Sequence, residues 1–210
     1  MHKTTPTDLS ALRISPKYTS TDWQTLDQQS QADWPKAAAI LKDRLDGRFL
    51  RFATDCLNAD EYSGFVVLSI DCLLVETIQQ FKDGIADGHG LSEVMIKKFL
   101  QGERFQPDFL TAKARRAFYT DIRCGLLHQA EAKNKWLIRR KRATLLERVA
   151  PGGYIIDVEL FHAAVRDSLE DYLTDICRPD RADVRENLWT KMNAICNVRA
   201  ARGALYEGTT

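Results

Sequence analysis

Along "DWPKAAAILKDRLDGRFLRFATDCL" the apolar residues Ile40, Leu41, Leu45, Phe49 and Phe52 recur at three- and four-residue intervals. That spacing places them on one face of a helix. Asp33 stands where an N-cap is needed, and Pro35 falls in the first turn, where its missing N–H costs little. The next segment, from about Asp60 to Asp83, is apolar nearly all round, with Phe65, Val66, Val67, Leu68, Ile70, Leu73, Leu74, Val75 and Ile78. It is too long for one strand, Gly84 closes it as a helix is closed, and apolarity on every side predicts a central helix. Ser92 opens a short helix to about Leu100. Thr111 then caps a further helix that reaches about Lys133.

Beyond Lys133 the pattern changes. "KWLIRRKRATLLERVAPGGYIIDV" mixes β-forming with basic residues, and "PGG" is a turn signal between "LLERV" and "YIIDV". A small β-hairpin is predicted there. Asp157 can cap the next helix, which carries Leu160, Phe161, Val165, Leu169, Tyr172 and Ile176 and ends before Pro179. A last amphipathic helix begins near Asp180, with Val184, Leu188, Met192 and Ile195 on one face. Residues 1–30, rich in Thr, Ser, Asp and Gln and holding Pro6 and Pro16, read as an irregular arm. The sum is an all-α fold in one domain over 31–210, with a small β-hairpin insertion near 136–157.

Composition narrows the function classes. With 210 residues, 44% of them apolar and 28% charged, the chain suits one soluble globular domain. The apolar run "FVVLSIDCLLVETI" contains Asp71 and Glu76 and falls short of a membrane span. The amino terminus has no apolar core of signal-peptide type, so a cytoplasmic protein is expected. Five cysteines without a C-x-x-C pair argue against a disulfide framework and against a zinc finger or ribbon. Cys124 and His128 share a helix face, but no second pair stands at ligand spacing, so no metal or other cofactor is expected. A net charge of +1 makes no whole-chain case for nucleic acid.

The candidate chemistry lies in "YTDIRCGLLHQAEAK", where Arg123, Cys124 and His128 interrupt an apolar helix containing Ile122, Leu126 and Leu127. Charge in such a place is costly unless paired or used. Five positions on an α-helix separate Arg123 from His128 by roughly 140° and about 7.5 Å. Their tips therefore do not meet on one stripe, and an irregular turn or a second copy of the helix across a two-fold axis would be needed to join them. Gly125, costly by about 1 kcal/mol in a helix interior, would let another helix approach closely. An arginine and a histidine together suit RNA phosphodiester cleavage. The guanidinium holds phosphate oxygens, the imidazole exchanges protons near neutral pH, and the 2′-hydroxyl is already in place as nucleophile.

The string "FYTDIRCGLLHQAE" resembles the signature helix of the HEPN (higher eukaryotes and prokaryotes nucleotide-binding) superfamily. The hallmark of that family is R-x4–6-H, often within R-x-G-hydrophobic-hydrophobic-H, and Arg123, Gly125, Leu126, Leu127 and His128 match it. "LSIDCLLVETIQQFKDG" is similar to the apolar helix with an embedded Glu found in some branches of the family. The resemblance spans about Asp60 to Leu173. It implies an up-and-down helical bundle and a homodimer whose Arg/His pairs face one cleft. It also implies metal-independent endoribonuclease activity, often in toxins with a neutralising antitoxin or in antiphage defence. Where many active members carry Asn, Asp or His after the arginine, this chain has Cys124.

Position also marks supporting residues. Glu76 or Asp71 would pair with Arg123. Asp121, seven residues before His128, would share its face and orient the imidazole, and Cys124 would pack beside them. The basic run after the helix, with Lys133, Lys135, Arg139 and Arg140, would track an RNA backbone, and Trp136 would stack on a base. The alternative function is a non-catalytic helical module that binds RNA, nucleotide or a protein partner.

Overall fold

A computed structural model describes residues 12–207, with side chains described through residue 197. Residues 1–11 of the expected arm lie outside the described residues. The elements are α1 (Ser20–Gln24), α2 (Trp34–Leu45), α3 (Arg51–Ala59), α4 (Gly64–Lys82), α5 (Ser92–Phe99), α6 (Ala112–Ala117), α7 (Cys124–Gln129), β1 (Trp136–Arg139), β2 (Leu146–Val149), β3 (Gly153–Asp157), α8 (Val158–Cys177) and α9 (Ala182–Glu207). The described residues are thus mostly helical, with one small sheet.

The arm is less irregular than its composition predicts. A reciprocal capping box between Thr19 and Asp22 starts α1. Ile14 and Trp23 are buried in the core, and the Trp23 indole N–H donates to Asn193 Oδ1 at 2.8 Å.

The first long amphipathic segment is not a uniform helix. A wide π-type turn at Asp46–Leu50 joins α2 to α3. One extra residue per turn rotates everything downstream. Phe52, read as core from its spacing, is consequently 48% exposed, while Ala53 and Leu57 turn inward. Asp33 occupies the N-cap position, yet its carboxylate accepts from the Asp27 N–H at 2.9 Å and makes no cap bond.

Helix α4 is central, as its all-round apolarity predicts, and packs against α3, α5, α8 and α9. Val67, Leu68, Leu74, Val75, Ile78 and Phe81 are buried, while Phe65, Val66 and Leu73 stay exposed. Among the described residues it is the one helix long and apolar enough to cross a membrane, and more than half of that stretch is buried inside the protein. Gly84 closes it in the left-handed region at φ 63°. A side chain there is also excluded by Asn187 of α9, whose amide donates to Lys82 O at 2.7 Å.

The predicted hairpin is present as β2 and β3, which pair antiparallel across Pro151-Gly152. It is one edge of a three-stranded sheet of order β1-β3-β2, because β1 pairs parallel with β3 in the register Trp136↔Tyr154. Asp157 does cap α8. Its Oδ1 accepts from Leu160 N–H at 2.8 Å, and its Oδ2 takes the Arg142 N–H at 2.7 Å.

Candidate active site

Thr111 caps α6 through its hydroxyl, which accepts from Ala114 N–H at 3.1 Å. A second π-type turn, Phe118–Arg123, links α6 to α7. Arg123 is the last residue of that turn and faces α4 and α5. Its Nη2 donates to Glu76 Oε2 at 3.3 Å and to Ser92 Oγ at 3.1 Å, while Ser92 Oγ donates to Glu76 Oε1 at 2.7 Å. The closed three-way arrangement is half-buried, with 19% of the Arg123 side chain and 17% of the Glu76 side chain exposed. Glu76 is therefore the acid that holds Arg123. Asp71 is not, because it lies wholly buried with its Oδ1 2.8 Å from His162 Nδ1.

Ser92 belongs to this group without a mark in the local sequence pattern. Its place at the start of a short helix suggested only a helix opener, and no local signal tied it to residues sixteen and thirty-one positions away. Tyr119 completes the wall, with its ring centroid 5.8 Å from the Arg123 guanidinium carbon. Burial, then a hydrogen bond with Cys124, pushes the Tyr119 hydroxyl above its ordinary pKa. Cys124 is half-buried. Burial likewise raises the thiol of Cys72 on α4, which feels the charges of Asp71, Arg123 and Glu76.

His128 lies near the end of α7 and is exposed, as is Leu127 beside it. Its imidazole makes no hydrogen bond or ion pair among the described residues. No hydrogen bond or ion pair joins it to Arg123 among the described residues. Arg123 points into the α4–α5 cradle while His128 meets solvent, in keeping with the roughly 140° between positions five apart.

Asp121 does not orient His128. It is 8% exposed, and its Oδ2 accepts from the Trp136 indole N–H at 3.2 Å. Its Oδ1 accepts from the Asn134 amide at 3.0 Å and the Thr120 hydroxyl at 2.9 Å, and its carbonyl takes Lys133 N–H at 2.9 Å. The shared face expected from seven-residue spacing assumes an unbroken α-helix, and the π-type turn removes that condition. The helix itself stops at Gln129, short of Lys133, where Ala130 turns left-handed at φ 54°. The returning chain explains Gly125. A Cβ there would lie 2.3 Å from Glu131 O, so the close approach is made by the protein's own loop and not by another helix.

The basic run divides. Trp136 is 4% exposed, stacked on Tyr154 at 4.6 Å and edge-on to Phe118, so it is core and cannot stack on a base as expected. Arg140 is a clamp, with Nε on Glu159 Oε1 at 2.8 Å, Nη1 on Asp60 O at 2.8 Å and Nη2 on Leu57 O at 2.7 Å. These bonds take it out of the RNA-binding set. Lys135 is exposed and reaches Pro151 O at 3.3 Å. Arg139 is exposed without an acidic partner among the described residues, and Lys133 is half-buried. No three His, Cys, Asp or Glu side chains among the described residues converge as a set able to hold a metal ion.

No protein-family model, curated protein or solved structure matches this chain.

Proposed function

We propose that the protein is a HEPN-like endoribonuclease that cleaves RNA without a metal ion. The observation that carries this reading is a division of labour within one six-residue phrase. Arg123 is held by Glu76 and Ser92 at the rim of the helical body, while the His128 imidazole near the end of α7 is exposed and uncommitted. In the reaction, His128 takes the proton of a ribose 2′-hydroxyl as its oxygen attacks the adjacent phosphorus. Arg123 holds the non-bridging oxygens as their charge grows, and the bond to the 5′-oxygen breaks as that oxygen takes up a proton from the protonated His128 or from water. Products then carry a 2′,3′-cyclic phosphate and a 5′-hydroxyl. End-group mapping of cleaved RNA tests this, since 3′-hydroxyl and 5′-phosphate ends would rule the mechanism out.

A homodimer is part of the proposal. Among the described residues no hydrogen bond joins Arg123 to His128 within one protomer, and exposed Leu73 of α4 and Leu127 of α7, on helices in contact, offer an apolar surface. Light scattering is expected to give about twice 23.9 kDa; a strict monomer removes the composite site. A cytoplasmic toxin or antiphage role, with or without a neutralising antitoxin, is the setting the reading implies.

The second reading is a non-catalytic module of the same kind that binds RNA, nucleotide or a protein partner. The occupied state of the Arg123 Nη2, bonded to both Glu76 and Ser92, favours it. Absence of cleavage on any RNA by well-folded protein would select it.

A further inference from the structure

A cleft of about 560 Å³ opens between the α3–α4 corner and the end of β1. That is within the size range of pockets that hold small organic ligands. Its back wall is fixed in advance. The guanidinium of Arg140 ties the strand end to the carbonyls of Leu57 and Asp60, so the cleft needs no rearrangement to exist. Two large aromatic side chains stand at its mouth in contact with solvent, Tyr62 at 82% exposure and Phe65 at 40%. Arg139 and Lys141 line the strand side, and neither side chain has an acidic partner among the described residues. Glu61 and Asp60 lie on the opposite, corner side, where the Asp60 carboxylate accepts from Tyr62 N–H at 2.7 Å.

We infer that this cleft binds one nucleotide of a single-stranded RNA, with the base on Tyr62 and Phe65 and the phosphate on Arg139 and Lys141. Aromatic faces beside unpaired cations are how proteins hold a single strand without reading its sequence. Acids on the corner side and cations on the strand side give the ligand one polarity, with the anion toward β1. Gly64 and Glu76 are twelve residues apart on α4, or about 18 Å along its axis. The cleft is therefore a remote subsite, a few nucleotides from Arg123, and in that sense the inference rests on the RNA reading above. It also replaces Trp136, which is buried, by Tyr62 as the base-stacking residue.

The test separates binding from cleavage by using a fluorescently labelled, all-2′-deoxy single strand of about ten nucleotides, which lacks the nucleophile. Anisotropy titrations compare wild type, Tyr62→Ala, the double variant Arg139→Glu/Lys141→Glu, and Lys113→Glu on α6 as a control outside the cleft. Tyr62→Ala is expected to weaken binding roughly 5- to 150-fold, the worth of one stacked base. The double variant should weaken it further and flatten the dependence of log K on log salt by about 0.7, for the one phosphate no longer neutralised. Lys113→Glu should bind as wild type. Unchanged affinity in both cleft variants, or no binding by wild type, overturns the inference, as does displacement of the strand by AMP at micromolar concentration, which would assign the cleft to a free nucleotide. Loss of binding in the cleft variants together with no RNA cleavage by wild type would leave the subsite standing and remove the ribonuclease reading. Intact cleavage with unchanged binding would remove the subsite alone.

Discussion

Gly125 and Glu131 approach so closely that a Cβ on the glycine would lie 2.3 Å from the glutamate carbonyl oxygen. The neighbour is backbone and cannot swing aside. Gly125→Ala should therefore destabilise the protein by about 1–3 kcal/mol, the usual cost of overpacking, even though alanine favours the helix by about 1 kcal/mol. Urea unfolding measures it. An alanine variant as stable as wild type would show that the loop gives way freely.

Asp121 is a structural acceptor for the loop that leaves the site. Asp121→Ala strands the buried Trp136 indole N–H without its acceptor, at a cost of about 1–3 kcal/mol for an unsatisfied buried group, while the amide of exposed Asn134 can turn to water. Any loss of activity should track the folded fraction. A well-folded Asp121→Ala protein with a shifted pH–rate profile would instead revive a direct role beside His128.

The Arg123–Glu76 pair sits between the exposed and the fully buried case. Arg123→Ala leaves Glu76 half-buried with Ser92 as its donor, and the expected loss is about 1–3 kcal/mol, between the values for surface and interior pairs. Arg123→Leu/Glu76→Leu should recover most of it, since no charge is then left alone. Calorimetric melting of the single and double variants distinguishes these outcomes. A double variant as unstable as the sum of both singles would contradict the coupling.

The capping box of α1 gives a pH dependence with a definite sign. The backbone N–H and then the hydroxyl of Thr19 bond to the Asp22 carboxylate and hold its pKa below the ordinary value. A lowered folded-state pKa means the stabilisation is present above the unfolded-state pKa of about 4 and is lost as pH falls through the lowered one. Asp22→Asn should thus be less stable than wild type at pH 7, and the difference should shrink below about pH 4. A deficit that grows on acidification would reverse the assignment.

What the sequence discloses and what it hides divide along local and non-local lines. Thr111, Asp157 and Gly84 punctuate helices by bonds within a few residues, so their roles are visible in the pattern. Glu76 and Asp71 are both visible as acids too deep in an apolar helix to stand alone and as possible partners of Arg123, and the pattern does not choose between them. Neither π-type turn has a comparable mark, although each rotates the chain downstream and so exposes Phe52 and turns Asp121 from His128. The parallel pairing of β1 with β3 and the clamp by Arg140 depend on residues far along the chain. A basic run containing a tryptophan reads alike whether it meets RNA or, as Trp136 and Arg140 do, the protein's own core and corner.

If Arg123 and His128 cleave RNA, removing either side chain must stop cleavage while the fold persists. Wild type, His128→Ala and Arg123→Ala are incubated with structured and single-stranded RNA in excess EDTA, with melting temperatures recorded for each. The exposed, unpartnered position of His128 predicts that His128→Ala melts like wild type yet loses about 10²–10⁴-fold in rate, the worth of general acid–base catalysis. Arg123→Ala should lose at least about 10²–10³-fold. Cleavage by wild type in EDTA, abolished in a fully folded His128→Ala protein, is the predicted result. Equal cleavage by all three proteins, or none by wild type on any RNA, would contradict it.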